Sequence, residues 1–165
     1  MKNSSKDFLL PQIEFSNNGV SDSLTGAPAP KLFIENLTRE ISQSRRRSQE
    51  LSIVTIKLLP ETMSIAKAKN LEFEKKLVVI NKEIKSNIRS GEFYSRIAEN
   101  GFWIFMQGDA GQATLAAQRF EKKISLNLKN AFSSSHLDFS VSQWSRNLEA
   151  IDWIQEIDFT YFAKI

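Results

Sequence analysis

The sequence predicts an α+β domain in which helices cover a mostly antiparallel sheet. Apolar residues spaced by three or four, typical of helices, alternate along the chain with short β-branched or alternating runs, typical of strands. The predicted order is helix, strand, helix, hairpin, helix, strand, helix. The two middle strands lie so close in sequence that they are expected to pair as an antiparallel hairpin. A chain of 165 residues is long enough for one domain with a sizeable core.

The first predicted helix follows a polar segment. Residues 1–20 contain Asn, Ser, Gly and Pro without a sustained period, so we predict a flexible tail or linker there and a domain over residues 21–165. Pro30 suits the first turn of a helix that ends near Arg47. The apolar face of this helix repeats every four residues: Phe33, Leu37 and Ile41.

The next segments predict a buried strand, a long helix and a hairpin. LSIVTIKLL, residues 51–59, is short and nearly all apolar, which is typical of a central strand buried on both faces, and Pro60 ends it. The apolar positions of the long amphipathic helix are Phe73, Leu77, Ile80, Ile84 and Ile88. EFYSRI and GFWIFM then predict two aromatic-rich strands joined by a loop of Ala98, Glu99 and Asn100.

The remaining segments predict a helix, a strand and a last helix. Asp109 is placed to cap a helix with the apolar face Ala113, Ala116, Phe120, Ile124 and Leu128. LDFSVSQW predicts a strand by alternation, with His136 at its exposed start. The last helix is predicted from Leu148, Ile151 and Ile154. Three tryptophans, Trp103, Trp144 and Trp153, fall in these patterns and are expected in the core or an interface.

Composition excludes several kinds of site. Without cysteine there are no disulfides, thiolate metal sites or cysteine nucleophiles, and a single histidine excludes multi-histidine metal sites. The net charge of +3 is too small to favour a DNA-binding protein, and Arg45, Arg46 and Arg47 are interpreted as a solvated helix end rather than a nucleic-acid or lipid patch. The start of the chain has no apolar run long enough for a secretory signal or membrane span. We therefore expect a cytoplasmic protein with no DNA or membrane partner.

Three short motifs resemble one known family. They are DSLTG from Asp22, RIAENGF from Arg96, and a closing Tyr-x-Ala-Lys at Tyr161, Ala163 and Lys164. Together they resemble the GGDEF domain of bacterial diguanylate cyclases, which condense two GTP molecules into cyclic di-GMP. The resemblance covers about Ser21 to Lys164, and it implies a palm-like fold with an antiparallel-rich central sheet flanked by helices.

Two fragments compete for the five-residue signature of that family. SGEF is one residue short and precedes a strand, whereas AENGF falls on the hairpin tip with an apolar strand directly after it. The signature positions are then Ala98, Glu99, Asn100, Gly101 and Phe102. In this register Arg96 matches a family arginine that pairs with the aspartate of the opening motif, here Asp22. The resemblance therefore implies a structural ion pair between Asp22 and Arg96.

The resemblance also implies that the catalytic machinery has been lost. Lys57 and Asn100 stand at the positions of the metal ligands, and Gly101 stands at the position of the catalytic glutamate. Ala98 and Glu99 replace two glycines. Ile65 and Glu74 fall at the positions of the guanine-reading pair, of which Glu74 is approximately retained. A magnesium site needs anionic oxygens. An ammonium group repels a divalent ion by about 8 kcal/mol at ~4 Å with an effective dielectric near 20. We predict a degenerate GGDEF domain without diguanylate cyclase activity, metal or cofactor.

One ligand site of the family has a counterpart in this sequence. The product-inhibition site of many cyclases, Arg-x-x-Asp ending five residues before the signature, matches Arg89 to Glu92, and a further helical arginine matches Arg119. Arginine binds phosphate or the guanine edge with paired hydrogen bonds, so the candidate ligand is cyclic di-GMP. In the alternative interpretation, Arg89 complements the end of a helix and Glu92 is solvated. The domain would then be a nucleotide-independent scaffold for a protein partner or a homodimer.

Overall fold

The described chain folds into a four-stranded antiparallel sheet with helices on both faces. The structure, a computed structural model, describes residues 13–60 and 67–163. The elements are α1 (Pro30–Arg47), β1 (Leu51–Leu59), α2 (Lys67–Asn87), β2 (Phe93–Ala98), β3 (Gly101–Gln107), α3 (Ala110–Ala131), β4 (His136–Gln143) and α4 (Ala150–Ala163). The strand order is β2-β3-β1-β4, and each neighbouring pair is antiparallel. The predicted α+β class and antiparallel sheet are confirmed.

The central strand β1 separates two apolar cores. Successive side chains of a strand point to opposite faces of its sheet. Val54, Ile56 and Leu58 accordingly pack with α2 and α3, while Leu51 and Ile53 pack with α1 and α4. Eight of the nine residues of β1 are buried, which confirms the prediction of a strand covered on both faces.

The hairpin is tighter than predicted. Ala98 belongs to β2 and pairs with Gly101, so the turn consists of Glu99 and Asn100 alone. The β2–β3 register shifts between Arg96 and Ala98, an irregularity that bends the strand just before the turn. The pairing of Lys57 with Gly101 in the β1–β3 ladder places the hairpin tip beside the end of β1.

The predicted apolar face of the last helix is correct in part, because Leu148 and Ile154 are partly buried against the core shared with α1 but Ile151 is not. Ile151 is 56% exposed, whereas Ala150, Trp153 and Ile157 are buried in the core shared with α1. The indole Nε1 of Trp153 donates to Ser142 Oγ at 2.9 Å, which fixes the rotation of α4 against β4. The apolar spacing alone was misleading because the large Trp153 side chain, not Ile151, decides which face is covered.

Packing begins before the predicted domain boundary at Ser21. Ile13 is 8% exposed and belongs to the core formed with α2 and α3. Asn17 forms a bridge with Asp22, and the ring centroid of Phe15 lies 5.0 Å from the guanidinium carbon of Arg96. The first twelve residues of the predicted tail lie outside the described residues. No helix in residues 13–60 or 67–163 is long and apolar enough to cross a membrane.

Replacing the cap of α3 should measurably destabilise the domain. Asp109 Oδ1 accepts from the Gln112 backbone N–H at 2.9 Å, and Gln112 Oε1 accepts from the Asp109 N–H at 3.1 Å, a reciprocal capping box. We expect Asp109→Ala to cost about 1 kcal/mol, lowering Tm by roughly 2–4 °C in circular-dichroism melts. Asp109→Asn keeps the acceptor and should melt close to the unchanged protein. Equal melting of the alanine variant would contradict this role for the cap.

Candidate functional site

A buried ion pair joins the N-terminal turn to the hairpin. Arg96 Nη1 lies 3.0 and 3.1 Å from the two carboxylate oxygens of Asp22, and both side chains are almost fully buried. The other guanidinium nitrogens donate to the Glu99 carbonyl, Nε at 3.2 Å and Nη2 at 2.6 Å. Asp22 Oδ2 also accepts from the Thr25 N–H and hydroxyl at 2.8 and 2.6 Å. Arg96 therefore holds the hairpin turn and the Asp22 turn together.

A second set of hydrogen bonds connects the same turn to α2. Burial raises the pKa of Tyr94 to about 12, so its hydroxyl stays protonated and donates to Asn81 Oδ1 at 2.8 Å. The Asn81 side chain in turn donates to the Thr25 carbonyl at 2.8 Å. Ser95 donates to the Pro28 carbonyl at 2.6 Å. Tyr94, Ser95 and Arg96 are consecutive residues of β2. Through these hydrogen bonds and the ion pair with Asp22, all three hold the segment that begins with Asp22.

The structure brings together the positions to which the sequence resemblance assigned metal binding and catalysis. Lys57 and Gly101 are Cα partners in the β1–β3 ladder, so the end of β1 lies beside the signature residues. Asn100 is buried, and its side-chain N–H donates to the Leu58 carbonyl at 2.9 Å. The Leu58 N–H donates to the Asn100 carbonyl at 2.8 Å. Asn100 therefore satisfies both backbone hydrogen-bonding groups of Leu58 near the end of β1.

Lys57 lies in a desolvated position next to an acidic residue on β4. It is 4% exposed, and its Cα partner across the β1–β4 ladder is Asp138. Burial lowers the pKa of the Lys57 ammonium from its ordinary value, and the Asp138 carboxylate partly opposes that shift. Sequence reasoning missed Asp138, because only the pairing of β1 with β4 brings it beside Lys57.

The residues at this position do not fit a magnesium ion. Magnesium binds hard, mostly anionic oxygen ligands. Here Lys57 supplies an ammonium group, Gly101 has no side chain, and Asn100 directs its side-chain N–H at the Leu58 carbonyl, which is therefore already hydrogen-bonded. In residues 13–60 and 67–163, no three His, Cys, Asp or Glu side chains are grouped so that they could hold a metal.

The three residues of the candidate nucleotide site also lie together. Arg89 to Glu92 form a tight turn in which the Glu92 N–H donates to the Arg89 carbonyl at 3.0 Å, and Gly91 has φ +84°. Glu92 Oε2 accepts from the Arg89 N–H at 2.7 Å and lies 3.7 Å from Arg119 Nη2. Arg119 Nε and Nη2 are buried and, within the described part of the chain, have no hydrogen-bond partner. The side chain of Arg89 is exposed.

The remaining positions implied by the sequence fall on separate elements or outside the described residues. Ile65 and Lys164 lie outside the described residues. Glu74 lies on α2, where one carboxylate oxygen accepts from the Glu14 N–H at 3.4 Å. His136 is exposed at the start of β4, as predicted. Arg45 pairs with Glu149 at 2.7 Å, so this arginine of the helix end has an acidic partner.

Comparison with known proteins identifies the fold. No family model and no curated protein matches this sequence. A sensory box/GGDEF family protein from Caulobacter crescentus matches in structure with a TM-score of 0.71 at 20% identity, over 87% of this chain and 97% of that one. The chain has a GGDEF-like fold.

Two further solved GGDEF domains relate this fold to a ligand. A microbial GGDEF domain studied for its interaction with cyclic di-GMP matches with a TM-score of 0.69 and 15% identity, over 88% of this chain and 93% of that one. The GGDEF domain of DgcB from Caulobacter crescentus, in complex with c-di-GMP, matches with a TM-score of 0.68 and 11% identity, over 90% and 91% of the two chains. At these identities the likeness shows the GGDEF-like fold alone.

Proposed function

We propose that this GGDEF-like domain is a catalytically inactive regulatory domain in the cytoplasm that binds cyclic di-GMP through Arg89, Glu92 and Arg119. The observation that carries the ligand is the Arg119 guanidinium, whose Nε and Nη2 donors are buried without a hydrogen-bond partner among the described residues, the Glu92 carboxylate lying 3.7 Å from Nη2. Buried donors are normally satisfied, so unsatisfied ones indicate a missing acceptor. A phosphate oxygen is the acceptor that best suits a guanidinium group.

The positions of the neighbouring groups support this ligand. Arg119 stacks beside Phe120, with the guanidinium carbon 4.8 Å from the ring centroid, and this contact holds the arginine in a half-buried position. Arg89 is exposed and free to approach a second phosphate or the guanine edge. Glu92 adds a carboxylate that can accept from the guanine N1 and N2 hydrogens. Solved GGDEF domains that hold cyclic di-GMP make this ligand the natural candidate.

The environment of Lys57 supports the absence of cyclase activity. Phosphoryl transfer by two metal ions requires carboxylates that hold both ions near the reacting phosphates. In this domain an ammonium group and an amide occupy the corresponding positions, and Asn100 is already engaged with β1. The proposed role is therefore ligand sensing without turnover.

Calorimetry with cyclic di-GMP tests the ligand. We expect saturable heat with a Kd on the order of micromolar, near −8 kcal/mol. Arg89→Ala and Arg119→Ala should each abolish the heat, whereas Arg46→Ala, an exposed arginine on α1, should bind as the unchanged protein does. Absence of heat at high micromolar protein would reject the nucleotide site.

A nucleotide-independent scaffold is the second candidate, and one observation favours it. Glu92 already accepts from the Arg89 N–H and lies near Arg119, so the carboxylate has partners within the domain itself. If Glu92 serves only to stabilise this turn, cyclic di-GMP produces no heat. The domain would then act through a protein partner or a second copy of the chain.

A further inference from the structure

The outer faces of α2 and α3 carry two matching stripes of lysine and aliphatic residues. On α2 the stripe consists of Leu71, Lys75, Val78, Lys82 and Lys85. On α3 it consists of Leu115, Lys122, Leu126 and Lys129, with the half-buried Arg119 at its edge. Spacings of three and four place the members of each stripe on one side of its helix. We call these nine residues, without Arg119, the basic–aliphatic face.

The aliphatic members of this face are unusually exposed. Leu71 is 52%, Val78 42%, Leu115 67% and Leu126 57% exposed. They make up half of the eight large apolar side chains exposed in the described part of the chain. Exposed aliphatic residues concentrated on one surface indicate an interaction site, whereas single ones are ordinary.

The lysines give the same face a single sign of charge. Lys75, Lys82, Lys85, Lys122 and Lys129 are all exposed, and none forms a salt bridge within residues 13–60 and 67–163. Neither stripe contains an acidic residue. The whole chain has a net charge of only +3, so five lysines on two adjacent helices form a local excess of positive charge.

The two stripes lie side by side on one layer of the fold. The α2 and α3 helices share the core on one side of the sheet and contact each other directly. They run antiparallel. Lys76 in the middle of α2 donates to the Ser134 carbonyl beyond the end of α3 at 2.6 Å, while Glu92 beyond the end of α2 lies 3.7 Å from Arg119 in the middle of α3. Val78 and Lys85 lie on the side of α2 away from Lys76, whose side chain reaches toward α3. The stripes therefore belong to the outer surface of the two helices, on which a third helix can pack.

The charges and residue types of the two stripes indicate which kind of partner fits this surface. A second copy of this face would bring lysine against lysine, which opposes a symmetric dimer. Nucleic acid would use the lysines but gain nothing from four exposed aliphatic side chains. A lipid surface is less suited because neither stripe contains the Trp or Tyr typical of membrane interfaces. An acidic amphipathic helix satisfies both components, since its apolar side chains meet the aliphatic residues and its carboxylates meet the lysines.

We propose that the basic–aliphatic face of α2 and α3 is a docking surface for an acidic amphipathic helix of a partner protein. The partner helix packs on the outer surface of the two helices, with leucine-like residues against the exposed aliphatic side chains and Glu or Asp against the lysines. This docking uses neither Lys57 nor Asn100. It also leaves Arg89 and Arg119 unchanged in every test below, so its outcome is separate from that of cyclic di-GMP binding.

A designed peptide provides a direct probe. The probe has three heptads of Leu-Glu-Glu-Leu-Glu-Glu-Glu, and the controls are a peptide of the same composition with its leucines scattered around the helix and a peptide with Lys in place of every Glu. Titrated into isotopically labelled protein, the probe should give chemical-shift changes confined to α2 and α3, with a Kd on the order of 10–100 µM. Both control peptides should bind at least about ten-fold more weakly, and added salt should weaken the probe.

Substitutions in the intact protein show which residues contribute to binding of the probe peptide. Lys82→Glu combined with Lys122→Glu should weaken the probe by about ten-fold or more, and so should Leu115→Ser combined with Leu126→Ser. Arg46→Glu reverses an exposed charge on α1 and should leave the affinity within about two-fold. The proposal is overturned by no binding at millimolar probe, by equal binding of the scattered peptide, or by equal weakening from Arg46→Glu. It is also overturned if the probe fails while vesicles containing phosphatidylglycerol, or a DNA duplex, bind this face.

Discussion

Replacing Arg96 by methionine is expected to lower the free energy of unfolding by about 3–5 kcal/mol, because it leaves the Asp22 carboxylate charged and buried without its cation. The Glu99 carbonyl also loses both of its guanidinium donors. For a domain of this size the expected fall in Tm is roughly 6–20 °C. Chemical denaturation monitored by tryptophan fluorescence measures the change in the free energy of unfolding. Trp103 is a suitable probe because it lies on β3, the strand paired with β2, which carries Arg96.

A second arginine gives a matched control for this effect. Arg45 also pairs with a carboxylate, Glu149 at 2.7 Å, but its side chain is 36% exposed. Arg45→Met should therefore cost under about 1 kcal/mol. The double variant Asp22→Asn with Arg96→Met removes both charges and should recover part of the loss, since no unpaired buried charge remains. If Arg96→Met fails to fold, Arg96→Lys retains the charge and supplies an intermediate case. Equal costs for Arg96→Met and Arg45→Met would contradict a structural role for the buried pair.

The unchanged protein is expected to produce no cyclic di-GMP from GTP with Mg²⁺ or Mn²⁺. Enzymes of this kind depend on accelerations of about a million-fold or more, and the metal ions supply much of that effect. Because Lys57 and Asn100 disfavour a divalent ion, the product measured by chromatography should stay at the buffer level. Accumulation of the dinucleotide would contradict the proposed inactivity.

Restoring carboxylates at these two positions should create affinity for a divalent ion. Lys57→Asp with Asn100→Glu would place two new carboxylates near Asp138, the neighbour of Lys57 on β4. We expect Mn²⁺ to bind this variant at least about ten-fold more tightly than the unchanged protein, as measured by electron paramagnetic resonance. Lys85→Asp repeats the charge change of Lys57→Asp at an exposed site on α2 and should leave Mn²⁺ binding unaltered. Similar Mn²⁺ affinity in both variants would mean that charge at Lys57 and Asn100 does not control metal binding.

Much of the fold was predictable because its signals are local. The apolar run of Leu51–Leu59 correctly predicted a strand buried on both faces, and Asp109 correctly predicted the start of α3. Pro30 likewise occupies the first turn of α1. The prediction for α4 was right for Leu148 and Ile154 and wrong for Ile151, because spacing alone could not weigh Ile151 against the larger Trp153.

The candidate site was less predictable because its contacts connect distant parts of the chain. Motif spacing singled out Asp22 and Arg96, which are 74 positions apart, and the structure places them in contact. Nothing in the sequence indicated that Tyr94 and Asn81 would support the same turn, or that Asp138 would neighbour Lys57. Such contacts depend on strand order and helix packing, which residue types alone do not encode.

By itself, the sequence determined where helices and strands form and which chemical groups are available, because propensity, capping and periodicity act over a few residues. It also determined that the two positions assigned to metal ligands by the resemblance, Lys57 and Asn100, carry an ammonium and an amide. Only the tertiary structure decided which groups meet: the strand order set Asp138 beside Lys57, and the packing of α2 against α3 placed two lysine–aliphatic stripes side by side. These pairings depend on the burial of the whole sheet, and no short segment contains that information.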